Sequence, residues 1–243
     1  MNPESLSEAL EIFEKIESGL SKSRKLEVVM CPPLAYAAIL ASNPKRISLI
    51  GSQDVSKKSQ EIKGSFTGEV SAKMLKDIGV SYIIVGHSER RKMGETNADI
   101  NMKLLACIDS KIKPILCVGE DARDEEGAFL SAVKYQLEKC LFGVKKKDLK
   151  SVIIAYEPVF AIGGDKALLP RDIYEMILFI KKIIVDMFKL KSSDDMRILY
   201  GGSVTPENVP GIIFDGGVDG LLVGRDSLDP QHFLNIISVA NKN

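Results

Sequence analysis

The chain contains no tryptophan, two histidines (His87 and His232) and four cysteines in 243 residues. Cys31, Cys107, Cys117 and Cys140 form no C-x-x-C pair and show no zinc-ligand spacing, which argues against a disulfide framework or a metal site. They read as reduced, buried small hydrophobes, and a cytoplasmic location is expected. Net charge is also missing: 33 Lys and Arg balance 33 Asp and Glu. That balance speaks against a dedicated nucleic-acid binder while allowing a local positive pocket. No apolar run approaches the roughly 20 residues of a membrane span. The start, Met1-Asn2-Pro3-Glu4-Ser5-Leu6, has no basic segment followed by an apolar stretch, so no secretory signal is visible. Linkers, low-complexity tracts and composition breaks are absent as well, so one domain over residues 1–243 is expected. With 45% hydrophobic and 27% charged residues, disorder, collagen and coiled coil are excluded.

What remains is a regular alternation. Apolar runs occur at Leu26–Met30, Ile47–Gly51, Tyr82–Val85, Ile112–Val118, Val152–Tyr156, Ile198–Tyr200 and Gly220–Val223. They are rich in Val, Ile and Leu and continuous, as strands buried on both faces of a parallel sheet would be. Between them lie helical patterns, starting with Leu6, Ala9, Leu10, Phe13, Ile16 and Leu20 behind an Asn2-Pro3 cap and first-turn proline. Further helices are expected near residues 33–43, 70–79, 97–109, 125–142, 170–190, 206–214 and 230–241. Thr205-Pro206 and Asp229-Pro230 repeat the cap-then-proline start. Seven strands and eight helices define an α/β chain that opens on a helix. Two architectures fit: an open doubly wound sheet, or a (β/α)8 TIM-type barrel lacking its first β-strand.

Parallel α/β folds bind ligands at the carboxyl ends of their strands. There the sequence places Gly86-His87-Ser88-Glu89-Arg90-Arg91, Tyr156-Glu157-Pro158, Tyr200-Gly201-Gly202-Ser203 and Gly224-Arg225. The last two groups suit a phosphate cradle, since glycines let backbone N–H groups approach an anion; they equally suit tight turns. His87 can polarise a carbonyl or act as an ordinary hydrogen-bonded strand-end histidine. Glu157 follows an apolar run, so poor solvation can raise its basicity; a strand-end salt bridge is the simpler alternative. Ser88–Arg91 also reads as an ion-pair cluster, Arg123–Glu126 as a solvated helix start, and His232 as a surface residue.

Together, Val85–Arg91, Ala155–Val159, Ala161–Gly163 and Tyr200–Val204 resemble the triosephosphate isomerase family closely, as do Cys117–Glu120 and Ser65–Glu69. The motifs are long, in order and at fitting intervals over essentially the whole chain. The resemblance implies a (β/α)8 barrel that interconverts dihydroxyacetone phosphate and glyceraldehyde 3-phosphate in glycolysis and gluconeogenesis, with no metal or organic cofactor. It makes Glu157 the proton-moving base, His87 the neutral electrophile and Glu89 a supporting residue. Gly163, Ser203, Gly224 and Arg225 become the phosphate site. Pro158 to Leu168 becomes a closing lid, with Pro158-Val159-Phe160 and Lys166-Ala167-Leu168 as its hinges and Ala161, Ile162 and Gly164 between them. A homodimer through the Thr67 loop is implied too. No partner membrane or nucleic acid is.

The pattern also breaks. The family's first strand ends in Asn-x-Lys before a Met-Asn pair, and this sequence starts at that pair. A missing lysine removes a fixed charge facing phosphate and enediolate, on the order of 3 kcal/mol or about 100-fold in rate. The natural chain starting earlier, a weakly active or inactive phosphosugar-binding or interaction protein, and substitution by Arg225 are the competing explanations. Arg225 stands where the family has a second glycine. Phe160 replaces a tryptophan, and Gly164-Asp165 replaces a Thr-Gly tip.

Overall fold

The computed structural model describes residues 2–21, 25–59, 61–62, 64–161, 168–193 and 195–241. Continuous apolar runs become strands buried on both faces. They are β1 (Val29–Met30), β2 (Leu49–Ser52), β3 (Tyr82–Val85), β4 (Lys113–Val118), β5 (Ile153–Tyr156), β6 (Arg197–Tyr200) and β7 (Gly220–Leu221). They form one parallel sheet in chain order, with β1 and β7 each paired on one side. A doubly wound sheet reverses its strand order partway. This sheet never reverses, which selects the barrel winding.

Helices cover the outside. They are α1 (Leu6–Gly19), α2 (Leu34–Ala41), α3 (Ala72–Asp77), α4 (Ser88–Lys92), α5 (Asn97–Asp109), α6 (Ala128–Cys140), α7 (Pro170–Phe188) and α8 (Pro230–Ala240). Successive strand residues point to opposite faces. Tyr82, Ile84, Ile115, Cys117, Ile153 and Ala155 accordingly fill the inner core. Their neighbours Ile83, Val85, Leu116, Val118, Ile154 and Tyr156 join the larger core under the helices. Inner-core burial fades toward the sheet edges, where Val29, Cys31, Leu49, Leu199 and Leu222 are only half-buried. The helical layer continues across those edges. Ile16, Leu20 and Val28 pack with Phe233, Leu234 and Ile237 of α8, and a Cβ on Gly19 would stand 2.5 Å from Leu234.

Two expected helix starts are corrected. α1 is capped by Ser5, whose hydroxyl accepts the Glu8 N–H at 3.1 Å while the Glu8 carboxylate accepts the Glu4 N–H at 2.7 Å. Asn2-Pro3 lies outside it. The helix expected over 206–214 is a turn followed by one π-type turn, Gly211–Asp215. The Asn208 side chain takes the Thr205 N–H there and donates to the Ser203 carbonyl, and Pro210 has no N–H to continue a helix. Asp229-Pro230 caps α8 as expected, accepting the Gln231 and His232 N–H groups. The helix expected from 125 starts at Ala128, after Gly127 in the left-handed region (φ 77°). α4 is additional to the expected set.

Ser5→Ala is expected to lower unfolding stability by about 1 kcal/mol, the usual worth of a hydroxyl N-cap, with Asn2→Ala neutral. Urea denaturation of both variants checks this.

Candidate active site

β3 and β5 flank β4, so the residues that follow them meet over its carboxyl end. Glu157 follows β5 directly and is 2% exposed. Its backbone N–H donates to the Val118 carbonyl at 2.8 Å, which extends the ladder one residue past the strand. This close approach depends on Gly119, where a Cβ would lie 1.8 Å from the Glu157 carbonyl oxygen. Gly201 clears the other side: a Cβ there would stand 2.9 Å from Glu157 Cγ.

His87 follows β3 and serves as the N-cap of the single-turn α4, its Nδ1 accepting the Glu89 N–H at 3.3 Å. An accepting Nδ1 leaves the proton of the neutral ring on Nε2. Nε2 lies 3.3 Å from Glu157 Oε1. Oε2 accepts the Ser88 N–H at 3.1 Å, whereas Oε1 is buried without an aligned hydrogen bond. Burial pushes the Glu157 carboxyl above its ordinary value of 4.5, against the pull of His87, the Cys117 thiol and the Ser88 N–H. Burial likewise holds Cys117 as a thiol, with the nearby Glu157 charge adding to the effect. The pair is therefore a desolvated carboxylate facing an imidazole N–H, with one carboxylate oxygen left for a ligand.

Other expected residues fall at distinct places. The Glu89 side chain is 75% exposed, with its carboxylate 3.9 Å from His87 Nδ1. Ser203 follows β6 and Gly224 follows β7, on the same rim as His87 and Glu157. Arg225 is exposed and lines a cleft of about 890 Å³ between α1 and the start of α8, with Lys15 and His232. It has no left-handed backbone strain, although it stands at an expected glycine position. Pro158 and Ala161 are buried, Val159 is half-buried and Phe160 is 44% exposed. Ile162, Gly163, Gly164, Lys166 and Ala167 lie outside the described residues.

Arg91 is not part of an ion-pair cluster. Its guanidinium donates to the Gly86 and Cys117 carbonyls and to Asn97, pinning the end of β3 to β4 and α5. Arg123 is half-buried rather than a solvated helix start: Nε lies 2.9 Å from Glu120 Oε1 and Nη2 lies 2.9 Å from the Tyr156 hydroxyl. Sequence reasoning also missed the Ser88 N–H and the Cys117 thiol as partners of Glu157. A backbone donor leaves no mark in the residue type, and a cysteine in an apolar run reads as core.

An all-parallel sheet in chain order, wrapped by helices, with a buried carboxylate and an imidazole meeting at its carboxyl rim, defines a TIM-type barrel enzyme. The triosephosphate isomerase family profile matches residues 1–240. Proteins named triosephosphate isomerase from Caldanaerobacter subterraneus subsp. tengcongensis and Moorella thermoacetica are 40% and 42% identical to this chain, over 235 and 218 residues. The alignments cover 96% and 88% of this chain and 93% and 86% of those proteins. A Thermoanaerobacter protein of the same name is 38% identical over 235 residues. The chain belongs to the triosephosphate isomerase family.

The raised Glu157 pKa fixes the sign of a stability effect. Above the ordinary value of 4.5 the unfolded carboxyl ionises while the folded one still favours its proton, so folding is penalised as pH rises through that interval. The penalty is complete above the folded pKa and absent well below 4.5. Glu157→Gln is therefore expected to raise Tm at pH 7 and to leave it unchanged near pH 3, as thermal unfolding at the two pH values will read.

Proposed function

We propose that Glu157 and His87 carry the family's reaction in this chain, the interconversion of dihydroxyacetone phosphate and D-glyceraldehyde 3-phosphate through a cis-enediolate. The observation that carries the reading is the 3.3 Å approach of His87 Nε2 to Glu157 Oε1, beside a carboxylate already desolvated and half-satisfied by Ser88. The Glu157 carboxylate takes a proton from C1 of the ketose, and the C–H electrons form the C1–C2 double bond as charge moves onto the C2 oxygen. His87 Nε2–H donates to that oxygen and passes protons between the two oxygens. Glu157 then returns its proton to C2. Desolvation makes the carboxylate a stronger base and keeps water from the intermediate. Glu89 supports this arrangement through its backbone N–H on His87 Nδ1. Backbone N–H groups at Gly163, Ser203 and Gly224 would receive the phosphate, with Pro158–Leu168 as the lid.

A coupled assay with either triose phosphate tests this. Turnover is expected, with an acid limb above the ordinary carboxylate range because the base works only when ionised. Glu157→Asp withdraws the carboxylate by about one methylene, and a displacement near 1 Å can cost about 100-fold. It should lower kcat by that order while changing the affinity for a phosphate-bearing enediolate mimic less than about threefold. Equal losses in both would make Glu157 a scaffold residue. Binding of the mimic without any turnover would favour a non-catalytic phosphosugar-binding barrel.

A homodimer through the Thr67 loop is part of the same reading. Residues 64–69 are exposed throughout, and Phe66, at φ 65°, is 40% exposed. A groove of about 590 Å³ beside the loop is lined by Leu34, Asp54, Arg90, Glu95 and Lys103, among others. Among the described residues, Arg90 Nε and Glu95 Oε2 are buried there without partners, as groups awaiting a docking segment would be. Thr67→Trp would put a large ring at the tip of the docking loop, and overpacking a well-fitted contact costs about 1–3 kcal/mol. Light scattering is expected to give the dimer mass for the unaltered chain and half of it for the variant. A cytoplasmic location agrees with four free thiols. No helix among the described residues is long and apolar enough to cross a membrane.

A further inference from the structure

Behind Glu157 lies a second cluster that the proton-transfer scheme does not use. Tyr156, the residue before the base, is fully buried, and its hydroxyl lies 2.8 Å from Glu120 Oε1. Arg123 bonds both, and its guanidinium stands 5.8 Å from the centre of the Phe160 ring, within the range of a cation–π contact. Phe160 belongs to the 3-10 turn Val159–Ala161 that directly follows Glu157-Pro158, and the Val159 N–H donates to the Glu120 carbonyl at 2.9 Å. On the other side Tyr156 packs against Tyr200 of β6, ring centres 6.3 Å apart. The Tyr200 hydroxyl is in electrostatic reach of the Leu168 N–H. One cluster thus touches both flanks of residues 162–167.

Its polar groups are not those of a cluster built for stability alone. Among the described residues, Glu120 Oε2 and the Tyr200 hydroxyl are buried without an aligned partner. Unsatisfied buried oxygens lower stability, and they persist where a site needs the group for something else.

We propose that Arg123 is a positioning residue for the isomerisation: it fastens the turn after Glu157 to the buried Glu120–Tyr156 pair, and so holds the carboxylate and the flanking walls in one geometry. The inference rests on the reading of Glu157 as the base. Loss of the guanidinium frees the Phe160 turn without touching His87, Ser88 or the phosphate cradle. The effect falls on the chemical step and on shielding of the enediolate, not on ground-state binding. A loosely held enediolate decomposes when its electrons expel the C3 phosphate, breaking the C3–O bond and releasing inorganic phosphate.

The test compares the unaltered chain with Arg123→Ala, Arg123→Lys, Phe160→Leu and the double variant Arg123→Ala/Phe160→Leu, measuring kcat, KM, phosphate released per isomerisation and Tm. Arg123→Ala is expected to lower kcat about tenfold, keep KM within about twofold and raise phosphate release several-fold. Arg123→Lys keeps a cation near the ring and should recover at least half of the lost rate. Phe160→Leu should act in the same direction, and the double variant should be no slower than Arg123→Ala, since both remove one contact. Unchanged kcat and phosphate release in Arg123→Ala overturn the proposal, as do losses that multiply in the double variant or that no lysine recovers. Should Arg123→Ala fail to fold, Phe160→Leu, which leaves Glu120 and Tyr156 paired, decides alone: an unchanged kcat overturns the proposal. An unaltered chain without turnover overturns the isomerase reading and this inference together; an active one indifferent to these substitutions overturns only the inference.

Discussion

The rest of the rim is arranged around one constraint: a carboxylate removed from water must stay ionised often enough to act as a base. Burial alone would neutralise Glu157. A salt bridge to lysine or arginine would do the opposite, lowering its pKa and its basicity together. The site instead surrounds it with weak donors. The Ser88 N–H holds one oxygen, and His87 and the Cys117 thiol add partners that favour the ionised carboxylate against burial. Arg91, the nearby full cation, gives its hydrogen bonds to carbonyls and Asn97 and reaches Glu157 only through its charge. The result is a base raised above its ordinary value by burial, with these neighbours opposing the rise.

Placing those donors is the work of the sheet. Parallel register sets the ends of β3, β4 and β5 side by side, so His87, Gly119 and Glu157 arrive within one side chain's reach. Gly119 lets the backbone of the Glu157 segment lie almost against β4, and Gly201 leaves room for the Glu157 side chain on the β6 side. At the opposite end Glu27, Tyr82, Lys113 and Arg197 join across the strand starts, Lys113 and Tyr82 at 2.9 Å and Arg197 and Glu27 at 3.1 Å. That floor spans from the start of β1 to the start of β6, and α1 packs on α8 outside it. The polar floor ties β1 to β6, and the packing of α1 on α8 spans the edge strands that the backbone ladder leaves unjoined.

Much of this was legible because it rests on residue type at a position. Continuous Val, Ile and Leu runs gave seven strands with ends shifted by three residues or fewer, and Asp229-Pro230 gave the start of α8. The choice of barrel over doubly wound sheet was not legible from periodicity, since both use the same strand–helix alternation; only strand order separates them. The resemblance favoured the barrel, and the observed order agrees. Asn2-Pro3 and Thr205-Pro206 looked like helix starts because the pair is a good local signal, but Ser5 and Asn208 offered better hydrogen bonds a few residues on. His87 and Glu157 were singled out from their positions at strand ends. Their partners were not, because a backbone N–H, a glycine's missing Cβ and a thiol in an apolar run have no polar signature in sequence.

Arg123 shows the same limit from the other side. In Arg123-Asp124-Glu125-Glu126 the charges look like a solvated helix start, and three of the four residues are indeed exposed. The first is drawn inward because Glu120, three residues earlier, is fixed at the end of β4 and is 2% exposed. A buried carboxylate without a cation would cost more than ordering an arginine side chain, so the guanidinium follows it and is then held by Tyr156 and the aromatic faces of Phe129 and Phe160. A burial decided by the β4–β5 register thus converts a surface charge into part of the support for the base. The cause lies in tertiary placement of Glu120, and no reading of the local charge pattern contains it.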